Sequence, residues 1–169
     1  MKTYLEWLAG DTHTKWWHDS AIPEEIDEAV EMGALGVTTN PVLTYKTLQA
    51  APEFWQKEVY QIPQTYSGQE RAEALLKMVA TYAAAKMLPI YEETNGENGY
   101  AFGQVNPMNC GNSQLMLEQG LRYASWAPNV AVKIPTTRAA LPVVEELAAE
   151  GVAVCTTLNF SVAQAIAAA

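Results

Sequence analysis

The chain has 169 residues, 49% hydrophobic and 17% charged, which suits one domain with a real core and excludes a disordered or collagenous segment. With 10 Lys and Arg against 19 Asp and Glu the net charge is −9, so no basic stripe exists to bind a nucleic acid or an anionic membrane. Cys110 and Cys155 make no disulfide framework, no apolar run is long enough for a bilayer, and Met1 to Gly10 lack a signal-peptide core; the composition is that of a soluble cytoplasmic α/β protein.

In chain order, Lys15 to Asp19 reads as a short first strand ending in a carboxylate. Pro23 to Met32 reads as a helix with Ile26, Ala29 and Val30 on one face and acids elsewhere. Pro23 suits its first turn and Gly33 its end. Gly36 to Asn40 is a second strand, stopped by Pro41. Thr44 to Tyr60 is helical with a break at Pro52, and Gln61 to Gly68 is a loop. Gln69 to Met87 is a helix rich in Ala, Leu, Glu and Lys. Glu92 to Gly99 forms turns. Tyr100 to Val105 is a third strand and Ser113 to Ala124 a helix. Val130 to Ile134 is a fourth strand. Arg138 to Glu150 is a helix capped by Thr136 or Thr137 and closed by Gly151. Val152 to Leu158 is a fifth strand, and Ser161 begins a last helix. Alternation of strands and helices implies parallel pairing with right-handed crossovers. That leaves a doubly wound sheet or part of a (β/α)8 barrel. No G-x-G-x-x-G or Walker sequence supports the former.

Barrel enzymes place their chemistry at the C-terminal ends of the strands. Those ends are polar here: Asp19, then Thr38 with Asn40, then Gln104 with Asn106, then Lys133, then Thr157. Period-2 alternation puts Thr38 with Asn40, and Cys155 with Thr157, on shared faces. Lys133 is the most informative, because it interrupts the apolar run Val-Ala-Val-Lys-Ile-Pro. An ammonium there either reaches water with its head or loses its charge, and a neutral amine attacks carbonyls to give a Schiff base. Such chemistry also needs a proton carrier, a part open to a carboxylate such as Asp19. Taken alone, Asp19 reads more readily as a solvated helix cap and Asn40 as a turn or helix cap. Cys155 reads as a small apolar filler. His13 and His18 are five apart with no carboxylate cluster, so no metal site is expected.

Asp19-Ser20-Ala21, Gly36-Val37-Thr38-Thr39-Asn40-Pro41, Val132-Lys133-Ile134-Pro135-Thr136 and the run from Glu150 to Ala165 together resemble the transaldolase family, which includes the fructose-6-phosphate aldolases. The resemblance implies a (β/α)8 barrel and Schiff-base chemistry on ketose phosphates without a cofactor. It makes Lys133 the imine-forming lysine and Asp19 the proton-transfer residue. Thr157 and Gln104 hold a water, and Asn40 and Thr38 contact substrate hydroxyls. Gln104 stands where classical transaldolases carry glutamate, and is similar to the aldolase branch. Cys155 replaces an asparagine. The long stretch between Asn40 and Gln104 is more like the classical enzymes.

A complete barrel takes about 250 residues. This chain is expected to hold one barrel-like domain over 1–169 with only five βα units, C-terminally incomplete. The family's sixth to eighth strands and its phosphate-binding serine and arginine are then missing. Such an open sheet would favour a homo-oligomer. The readings to be weighed are a transaldolase, a fructose-6-phosphate aldolase, a non-catalytic fragment that binds or assembles, and another lysine aldolase.

Overall fold

The computed structural model describes residues 2–169. Eight α-helices and four strands are present among them: α1 (Tyr4–Asp11), α2 (Pro23–Glu31), β1 (Gly36–Val37), α3 (Pro41–Ala50), α4 (Pro52–Gln61), α5 (Gly68–Glu93), β2 (Tyr100–Gln104), α6 (Ser113–Ala124), β3 (Val130–Pro135), α7 (Leu141–Ala149), β4 (Val154–Thr157) and α8 (Val162–Ala168). The sheet order is β1-β2-β3-β4. A doubly wound sheet reverses its strand order at a switch point, whereas a barrel adds each strand beside the last. Sequential order therefore decides for the barrel-type α/β class. Among the described residues, no helix is long and apolar enough to cross a membrane.

The chain divides into two compact units, Met1–Ala101 and Phe102–Ala169. In the first, β1 pairs with the start of β2 in parallel, Gly36 opposite Tyr100 and Val37 opposite Ala101. The expected strand at Lys15 to Asp19 is reduced to a single bridge between His18 and Val37. Its backbone still runs alongside β1: His18 N donates to Gly36 O at 2.9 Å and Thr38 N to His18 O at 2.8 Å. A side chain at Gly36 would put its Cβ 2.6 Å from the Trp17 ring, so glycine lets this segment lie close. α5 buries Val79, Ala80, Ala83, Ala84 and Met87 completely, a stripe at helical spacing. Lys86 Nζ stands 2.6 Å from Asp27 Oδ1, tying α5 to α2 at the surface. Gly99 has φ 84°, and a Cβ there would lie 2.3 Å from Tyr91 N, so only glycine makes the turn into β2.

The second unit carries the rest of β2 and everything after it. β3 and β4 are parallel, with Lys133 opposite Cys155 and Pro135 opposite Thr157. Every residue of β3 is buried except half-exposed Lys133. A parallel strand covered on both faces reads as a continuous apolar run, and β3 follows that rule apart from the lysine. The helix expected from Arg138 starts at Leu141, and neither Thr136 nor Thr137 caps it. Thr137 Oγ1 instead accepts from Ala140 N at 3.2 Å and donates to Cys110 O at 2.6 Å, so it closes the turn before α7.

Candidate functional site

In the first unit, the end of β1 and the His18 bridge bring Asp19 and Thr38 together. Thr38 Oγ1 donates to Asp19 Oδ1 at 2.5 Å. Asp19 is exposed and Thr38 half-buried. Asn40 caps α3, its Oδ1 accepting from Leu43 N at 2.9 Å, with Pro41 in the first turn. The cap reading is thus realised, and the carboxamide nitrogen is the part of Asn40 that the cap leaves over. Behind Asp19, Thr47 Oγ1 donates to Ala21 O at 2.7 Å and accepts from Trp55 Nε1 at 3.1 Å. All three residues are buried, so the segment after Asp19 is held by a dry relay. Burial pushes the His18 imidazole below its ordinary value, while Glu25 and then Asp19 pull it back up.

In the second unit, Lys133, Pro135, Cys155 and Thr157 share one face of the β3–β4 pair by register and alternation. Burial pushes the Cys155 thiol up, and the neighbouring Lys133 charge partly offsets this. The thiol is therefore a poor nucleophile near neutrality, in keeping with an apolar filler. Gln104 ends β2, half-buried. The next residue, Val105, donates its N–H to Lys133 O at 3.0 Å, so Gln104 is anchored one residue from the lysine strand. Thr157 is half-buried, and its carbonyl accepts from Thr136 N at 2.8 Å.

Two further polar side chains hold the strand ends. Buried Gln119 on α6 accepts through Oε1 from Asn106 N at 3.2 Å and Asn109 Nδ2 at 3.0 Å, which fixes the loop after β2. Gln164 on α8 holds the turn after β4. Gln119 has no signature in the one-dimensional pattern, because its partners lie ten and thirteen residues away; Gln164 follows its cap Ser161 by three residues, but its bond to Thr136 O, twenty-eight residues away, is invisible in that pattern. Among the described residues, no three His, Cys, Asp or Glu side chains gather as metal ligands. The first unit offers a carboxylate bonded to a hydroxyl; the second offers a half-buried amine on an apolar strand, with an amide and a hydroxyl at the ends of β2 and β4.

A family model described as transaldolase/fructose-6-phosphate aldolase matches residues 16–169. A probable transaldolase of Thermus thermophilus is 33% identical over 152 residues, covering 89% of this chain and 55% of its own. A transaldolase of Trichodesmium erythraeum is 31% identical over 132 residues, covering 77% and 35%. One of Neisseria gonorrhoeae is 30% identical over 145 residues, covering 84% and 41%. The chain spans about half or less of the length of these curated relatives.

Proposed function

The chain belongs to the transaldolase/fructose-6-phosphate aldolase family, and from that premise we propose that Lys133 forms a Schiff base with a ketose phosphate and carries a dihydroxyacetone unit to an aldehyde acceptor. The observation that carries this reading is the placement of Lys133: a lone half-exposed amine on a strand otherwise buried from Val130 to Pro135. The unprotonated amine adds to the ketone carbon, and the carbinolamine loses water to give the imine. Cleavage of the adjacent carbon–carbon bond leaves the electron pair on the imine as an enamine and releases an aldose phosphate. The enamine then attacks an acceptor aldehyde, and hydrolysis of the new imine frees the lysine. The electron sink is the protonated imine, so the scheme calls on no cofactor.

In this scheme Asp19 takes and returns the substrate hydroxyl proton, and its bond to Thr38 orients the carboxylate. The Asn40 amide and Thr38 bind substrate hydroxyls. Gln104 and Thr157 hold the water expelled and later consumed. Gln104, a position at which this chain is similar to the aldolase branch, favours a second reading: the enamine carbon is protonated, water hydrolyses the resulting imine, and free dihydroxyacetone leaves; the glutamine, which cannot act as a base, only positions that water. Either activity would make the protein a cytoplasmic enzyme of sugar-phosphate metabolism.

Borohydride trapping tests the shared step. Incubation with fructose 6-phosphate or dihydroxyacetone, reduction and peptide mapping should give a stable adduct on Lys133, absent in Lys133→Met. Absence of any adduct in protein shown folded by circular dichroism would remove the Schiff-base reading. Products assayed with and without an acceptor aldose phosphate then separate transfer from aldol cleavage.

A further inference from the structure

Gln164 makes more side-chain hydrogen bonds than a helix start requires. Its Oε1 accepts from Phe160 N at 3.0 Å and from Ser161 Oγ at 3.3 Å. Its Nε2 donates to Thr136 O at 3.3 Å and to Leu158 O at 3.4 Å. Ser161 caps α8 by accepting from Gln164 N at 3.2 Å. The first two bonds brace the residues that lead into α8 and use only the acceptor oxygen; they are not the reciprocal half of a capping box, which would take the Ser161 N–H. The other two have nothing to do with α8. They join the carbonyl just past β3 to the carbonyl just past β4.

Leu158, the residue after Thr157, stands at φ 64°, a region a leucine avoids. The residue is 54% exposed, so packing does not hold it there. Its carbonyl is one of the two that Gln164 grips. Thr136 is bonded on both sides: its N–H donates to Thr157 O at 2.8 Å, and its C=O accepts from Gln164. One side-chain amide thus closes a small ring through Thr136, Thr157 and Leu158.

We infer that Gln164 is a positioning residue, whose Nε2 fixes Thr157 against the strand that carries Lys133. The inference rests on the Schiff-base reading above. Loss of the grip lets Leu158 relax to negative φ and turns Thr157 away from the Lys133 face. Misplacing a group that positions water slows imine formation and hydrolysis without removing the amine.

Gln164→Glu separates the two roles, because glutamate keeps the bracing acceptor and loses both donors. Gln164→Met removes both. In the full chain, Gln164→Glu is expected to melt like wild type, and to trap dihydroxyacetone on Lys133 at least roughly tenfold more slowly. Hydrogen exchange at the Thr136 amide should accelerate. Wild-type trapping together with wild-type Thr136 exchange in Gln164→Glu would reduce Gln164 to a brace of the α8 start and overturn the inference. If wild type itself forms no adduct, the Schiff-base reading fails, and Thr136 exchange alone decides whether the clamp exists. Should Gln164→Glu not fold, the same exchange measured in Gln164→Met decides it.

Discussion

His18 sits one residue before Asp19, with its Nε2 buried and 4.0 Å from Glu25 Oε2. Burial holds its pKa below the ordinary 6.5, and Glu25 and Asp19 only partly restore it. Above that value the ring is neutral in the folded and the unfolded chain, and the burial carries no proton penalty. As pH falls through it, the unfolded chain takes up the proton first, so stability is lost until the folded-state value is passed. Urea unfolding from roughly pH 7 down to pH 5 should therefore fall less steeply for His18→Gln than for wild type. Equal slopes would mean that this ring titrates alike in both states. Cys155 illustrates the opposite effect: burial keeps its proton on, and the residue beside Lys133 stays an uncharged thiol near neutrality.

At the scale of elements, Thr47 joins α3 and α4 to the segment before α2. It sits on α3, receives Trp55 Nε1–H from α4 and donates to Ala21 O in the segment that follows Asp19. Thr47→Val keeps the shape and leaves a buried indole N–H and a buried carbonyl unpaired. The expected loss is about 1–3 kcal/mol in denaturant unfolding, with Thr47→Ser close to wild type. A loss below about 0.5 kcal/mol would place a water or another partner in the relay. The elements themselves are legible in the sequence where the apolar period is strong: α2, α6 and β3 lie within a residue or so of their expected bounds. Departures have local causes. α3 begins at Pro41, ahead of the expected Thr44, because Asn40-Pro41 is a cap followed by a first-turn proline. α5 runs past Pro89 to Glu93, since buried Met87 and the ring contact of Tyr91 with Tyr100 at 5.3 Å hold its last turns. α1 lies outside the expected elements, although Thr3 and Glu6 form a reciprocal capping box whose spacing is visible in the sequence. For the candidate site, the strand-end side chains can be named from alternation. Their restraints cannot, because the bonds of Gln119 to Asn106, of Gln164 to Thr136 and of Thr47 to Ala21 join groups that only the fold brings near.

For the whole molecule, the sequential strand order fixes how far apart in the chain each partner lies. β3 and β4 are joined by one short helix, whereas β1 reaches β2 only across α3, α4 and α5. Closing a longer loop costs more entropy before any contact rewards it. In pulse-labelled refolding, the amides of Val132 and Thr136, which bond Ala153 O and Thr157 O, should gain protection before that of Gly99, which bonds Leu35 O. The reverse order would mean that local helix formation in α3 to α5 outweighs loop length. The same asymmetry bears on synthesis. On the ribosome β1 emerges early with only the short segment ending at His18 beside it, and its partner β2 follows once the long helical stretch has been translated. The pair carrying Lys133 and Thr157 emerges within a few tens of residues and can zip at once. The N-terminal part of the sheet is thus the part that waits, and the part a chaperone would have most time to meet.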